Sequence, residues 1–170
     1  MKKKILLGLA SVLVIIQFIR PEKNISDDMT NDFSKKYPVP VEVANILTVA
    51  CNDCHTNKTG YPWYSNIQPV AWWMNGHVVD GKRHLNLSNF ISRPLAYQNH
   101  KMEEIIEMVK EKEMPLASYT YLGLHGDANI TDDQRQILIN WAQTQMDTLK
   151  AQYPPDSLVM KRPPGPPPAQ

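Results

Sequence analysis

At 170 residues, with 42% hydrophobic and 21% charged residues, the chain has an ordinary globular composition and room for one modest core of roughly 110 residues once its two ends are set aside. That composition excludes wholesale disorder. Net charge is +1, but Lys2, Lys3, Lys4 and Arg20 lie in a segment without acids, so the rest carries 14 basic against 17 acidic residues. It lacks the basic face of a nucleic-acid reader, and no nucleic-acid partner is expected.

The chain opens with three lysines followed by an apolar run from Ile5 to Ile19, the layout of a secretion signal or signal anchor. Residues 1–20 are read as that segment. After Ile19 comes RPEKNISDD, which lacks the small residues of a cleavage site. The reading is therefore an uncleaved anchor over 5–19, although the run is short for a membrane span of about 20 residues. Lysines on the N-terminal side put that end inside and the domain outside, so the expected location is the bacterial cell envelope, periplasm-facing, with the membrane as one partner. Residues 21–38 are polar with no apolar period and read as a tether.

The domain is assigned to residues 39–150, and three helices are expected in it with no run of alternating strands. The first, 41–55, carries Val43, Ile46, Leu47 and Ala50 as an apolar stripe and delivers the only two cysteines, Cys51 and Cys54. Residues Trp63 to Pro94 are rich in aromatics and turn formers, so short helical pieces and loops are expected there. A second helix over 99–113 shows Met102, Ile105, Ile106 and Val109 on one face, with Pro115 beyond its end. A third begins at Thr131, where Gln134 three residues on completes a capping box, and it runs through Trp141 towards Leu149. Residues 151–170 hold a Pro-rich run and read as a disordered tail.

CNDCH, residues 51–55, is the densest chemical signal. Cysteines three apart on a helix share a face, so both thiols can reach the two vinyl groups of one porphyrin while His55 presents an imidazole to its iron. C-x-x-C-H is the attachment pattern of c-type haem. A thioredoxin-like dithiol would want a βαβ pattern, which is missing. A structural zinc would want a second close Cys or His pair, and His77, His84, His100 and His125 offer no tight one. A disulfide between residues three apart closes too small a loop to stabilise much. One covalent haem c through Cys51 and Cys54, with His55 as proximal ligand, is the expected cofactor; its buried apolar surface, at about 25 cal/mol per Å2, would help a small core.

For the sixth position, Met102, Met108 and Met146 lie within helices and read as packing. Met114 lies in an irregular loop before the capped helix, where a thioether can be aimed inward, and it is the preferred ligand. His77 is the runner-up, giving bis-histidine ligation. Trp72 and Trp141 are candidates to pack against the macrocycle.

Taken together, CNDCHTNKTGYPWYSNIQPVAWW, HVVDGKRHLNLSNF, EMPLASY and TDDQRQILINWA resemble a family of bacterial envelope haem-binding domains with one C-x-x-C-H motif, related to small c-type cytochromes. The likeness runs over roughly residues 38–145. It implies a small all-α, cytochrome c-like fold around one haem, with Cys51, Cys54 and His55 as its seat, and in small single-haem cytochromes the sixth ligand is commonly a methionine in an MP loop such as Met114-Pro115. The resulting expectation is a monohaem electron carrier, not a catalyst, whose redox partner is not named by the sequence. A rival reading is a gas or peroxide sensor with an open or labile sixth site.

Overall fold

The computed structural model describes residues 1–120 and 125–160. Helices α1 (Lys2–Ile16), α2 (Val41–Ala50), α3 (Asn52–His55), α4 (Val70–His84), α5 (Leu95–Lys110), α6 (Ala117–Thr120) and α7 (Asp132–Gln152) follow in chain order, joined by short 3-10 turns. Among the described residues there is no strand, only one isolated bridge between Ile25 and Lys58. The all-α expectation holds.

The core is built on α5 and α7, which pack along one another, with α2 laid across α7. Met102 and Val109 of α5 meet Leu138, Trp141, Ala142, Met146 and Leu149 of α7, while Val43, Ile46 and Leu47 close the far side. The α2 and α7 sets recur at three- and four-residue spacing and the α5 pair at seven, which is what puts each on one helical face. The capping box is present: Gln134 N donates to Thr131 Oγ1 at 3.2 Å and Thr131 N donates to Gln134 Oε1 at 2.8 Å.

Four expectations need correction. The helix over 41–55 is two helices, because Cys51 leaves helical geometry at φ −127° and bends the chain between α2 and α3. The segment 63–94 contains a full 15-residue helix, α4. The tether is no tether: Phe33 and Tyr37 belong to the core, and Asn24 ties the strap to the C-x-x-C-H loop by donating from Nδ2 to Thr56 O and Thr59 Oγ1, both at 2.9 Å. The tail is packed as far as Leu158, a core residue whose carbonyl accepts from Asn99 Nδ2 at 3.2 Å. Residues 121–124 and 161–170, which include part of the loop after Met114 and the Pro-rich end of the tail, lie outside the described residues.

The expected anchor forms a helix, but α1 is 15 residues long, about 22 Å at 1.5 Å per residue, against about 30 Å of hydrocarbon. Among the described residues no helix is long and apolar enough to cross a membrane. Beyond Ile16 the backbone tightens, with Gln17 N, Phe18 N and Ile19 N bonding three residues back.

Candidate functional site

The bend at Cys51 sets up the site. Cys51 N still donates to Leu47 O at 3.0 Å and His55 N to Cys51 O at 3.0 Å, so α3 continues the hydrogen-bonded ladder along a new axis. This places α3 against α4. The approach is so close that a Cβ on Gly81 would lie 2.6 Å from Cys54 O, a distance no side chain tolerates. Glycine at 81 is what lets the two backbones meet.

At that contact His55 is fixed. Its Nδ1 lies 3.1 Å from Gly81 O and 3.0 Å from Leu85 O, two acceptors at the end of α4. Nδ1 therefore carries the proton, and the lone pair sits on Nε2, which has no hydrogen-bond partner among the described residues. Burial pulls the imidazole's pKa below its usual range, against the two carbonyl bonds, so the ring is neutral at pH 7. A neutral imidazole with Nδ1 tied to backbone is prepared to ligate a metal through Nε2.

His55 faces a cavity of about 330 Å3. Cys54 lines it from the same turn; Trp73, Met74, His77, Gly81 and His84 line it from α4; Met114, Pro115 and Leu116 line it from the far loop. Met114 reaches this position because α5 ends in a Schellman turn. Lys112 takes the left-handed conformation (φ 62°), its N–H bonds Val109 O at 3.3 Å and Glu113 N bonds Met108 O at 3.0 Å, reversing the chain. Arg135 of α7 then holds the loop, donating from one guanidinium nitrogen to Met114 O at 2.7 Å and to Val109 O at 3.2 Å.

The sequence-selected residues divide into two groups. Cys54, His55, Met114 and His77 come together on one cavity. Cys51 does not line it and lies half-buried at the edge of the core. Burial pushes the Cys51 thiol up to about 12 and the Cys54 thiol up to about 11, so both are uncharged in the folded chain. The two indoles assigned to cofactor packing lie elsewhere. Trp141 is in the core, edge-on to Phe33 with Nε1 donating to Pro38 O at 2.8 Å, and Trp72 faces outward with Nε1 donating to Ile19 O at 3.0 Å. Trp73, one position along the helix from Trp72, lines the cavity.

Sequence reasoning also missed a polar group on the opposite wall. Tyr119 donates to Asp53 Oδ2 at 2.7 Å and stacks on His125 with ring centroids 4.4 Å apart, and the Tyr64 hydroxyl lies 3.0 Å from His125 Nε2. His125 lines the cavity with the two tyrosines. YPWYS therefore places one member, Tyr64, at the site.

A half-buried neutral imidazole with an unengaged Nε2, a thiol on the same turn and a thioether on the far loop form a donor set suited to an iron porphyrin. A family model described as a haem-binding domain matches residues 11–144. The chain belongs to the haem-binding domain family. No curated protein and no solved structure matches it. The residues of this haem-binding domain fit the cofactor its family is named for, since the cavity is large enough to admit part of a flat ring and lined mainly by apolar groups. The family match begins at residue 11, inside α1, and runs through residues 21–38 into α7.

Proposed function

We propose that this haem-binding domain is a monohaem c-type cytochrome of the cell envelope that passes single electrons. The observation that carries the reading is the convergence of Cys54, His55 and Met114, 60 residues apart in sequence, on one cavity about 330 Å3 in volume. Haem, when bound, supplies an iron that changes by one electron between ferric and ferrous states.

The chain's own residues do the rest. Cys51 and Cys54 would hold the ring, each adding its S–H across one vinyl group, an addition that needs no external oxidant. His55 Nε2 would be the proximal ligand, oriented by the Nδ1–H bonds to Gly81 O and Leu85 O. Met114, whose carbonyl is held by Arg135, would supply the second ligand; His77 would be next in line, its Nδ1 engaged by Trp73 O at 2.9 Å. The apolar wall keeps water away and lowers the reorganisation that accompanies a change of charge. No side chain is assigned a bond-making role towards a substrate, and the envelope location rests on the lysine-then-apolar start of the chain.

Intact mass under denaturing conditions tests the attachment, using protein made in a host with a haem c maturation system. A mass raised by one haem is expected for the native chain, and Cys51→Ala/Cys54→Ala should lose it. A bare-chain mass for the native protein would overturn covalent attachment. Carbon monoxide tests the sixth position: the reduced protein should resist it, and Met114→Ala should bind it. Ready binding by the native protein would favour the sensor reading over electron transfer.

A further inference from the structure

The helix α1 and its junction with the domain present a problem that haem binding does not answer. None of its 15 residues is buried, and Ile5, Leu6, Leu7, Leu9, Val12, Leu13, Val14 and Ile15 are all exposed. An apolar surface of that extent is rarely left to water. Its exit is rigidly fixed. Gln17 and Gln68 exchange two bonds, Gln68 N to Gln17 Oε1 at 2.9 Å and Gln17 Nε2 to Gln68 O at 3.3 Å; Gln68 Nε2 then donates to Ile19 O at 2.7 Å, beside the Trp72 bond to the same carbonyl. At this junction the domain exposes Ile67 and Trp72, and in the turn that leads into it, Trp63–Asn66, it exposes Trp63 (76% exposed).

We propose that the face formed by Trp63, Ile67 and Trp72 docks on the interface of a phospholipid bilayer, with α1 seated among the acyl chains. The occupant is identified by chemistry. An all-round apolar helix has Lys2, Lys3 and Lys4 at one end and, at the other, indoles with Arg20 and Lys23 close by; Lys23 Nζ bonds Asn66 Oδ1, next to Ile67, at 2.9 Å. Tryptophan settles at the headgroup level of a bilayer and lysine or arginine at its phosphates. A protein groove would not call for cations at both ends of a helix that is apolar on every side.

The strap supplies an independent argument. Residues 21–38 lack the slack to hold the domain away from lipid, because Ser26 N bonds Asn57 O at 2.9 Å, Thr59 N bonds Asn24 O at 2.9 Å, and Lys82 Nζ bonds Asn24 Oδ1 at 2.5 Å. A domain joined to α1 through so tight a junction meets whatever surface α1 enters. The inference stands whether or not the cofactor is covalent.

The test uses the full chain in vesicles of phosphatidylcholine and phosphatidylglycerol doped with a phospholipid carrying a diazirine high on its acyl chain. After illumination and digestion, lipid adducts are expected on residues 2–19 and on peptides containing Trp63, Ile67 and Trp72. In Trp63→Asp/Ile67→Asp the domain adducts should fall at least tenfold while those on 2–19 persist and helix content by circular dichroism is unchanged. Adducts confined to 2–19 in the native chain, adducts absent altogether, or domain adducts unaffected by the two substitutions would each overturn the proposal.

Discussion

His55 and the two cysteines show how burial prepares groups that are unremarkable in water. With both thiols uncharged, their folded pKa values of about 11 and 12 stand above the 9.0 of a free thiol. As pH rises past 9 the unfolded chain loses these protons first, so the haem-free protein should lose stability from pH 9 until the folded thiols also ionise near 11 to 12. A haem-loaded protein with thioether links has no such thiols and should lack that loss; denaturant titrations across pH 8 to 11 read the difference. Alkylation reads the same property directly. At pH 8 Cys54 in the folded apoprotein should react about a hundredfold more slowly than in urea, because a two-unit rise in pKa cuts the thiolate by that factor. Of the site residues, those with a fixed local pattern were legible in sequence. Trp73, Asp53, Tyr119 and His125 were not, because their roles depend on contacts across as many as 66 residues of chain.

At the scale of elements, α4 is the instructive one. Where short helical pieces and loops were expected stands a helix whose inward positions do not look like a core stripe: Trp73, Met74, His77, Gly81 and His84 recur at helical spacing but face a cavity, and of its two buried residues, Ala71 and Val78, the second borders that cavity too. A search for apolar periodicity passes over a helix that lines a ligand site. By contrast α5 and α7, which bury apolar stripes, and the Thr131 cap were readable directly. Gly81 is the hinge of this region. Gly81→Ala should cost about 1–3 kcal/mol through overpacking and reduce the haem to protein ratio on purification, since the new methyl would force α3 and His55 off α4. Thermal unfolding measured beside the Soret absorbance checks both effects; unchanged values would mean that the backbones separate at no cost.

Across the whole molecule, the chain ends assigned to tether and tail turn out to complete the core. Phe33 and Tyr37 come from one and Leu158 from the other, yet each sits among polar residues or prolines and has too few apolar neighbours to declare a period. Their partners are Trp141, Phe90 and the α5–α7 pair, contributed by other parts of the chain. Leu158→Ala should therefore destabilise the protein by about 2–4 kcal/mol, measured by denaturant unfolding, whereas a free tail would give no change.

The two ends of α4 have separate duties: Trp72 in its first turn touches the exit of α1, and the carbonyls of Gly81 and Leu85 at its last turn orient His55. Nine residues of helix between Trp72 and Gly81 measure about 13 Å. If lipid lies at the first end, α4 acts as a ruler, holding the His55 imidazole at one fixed distance from the exit of α1.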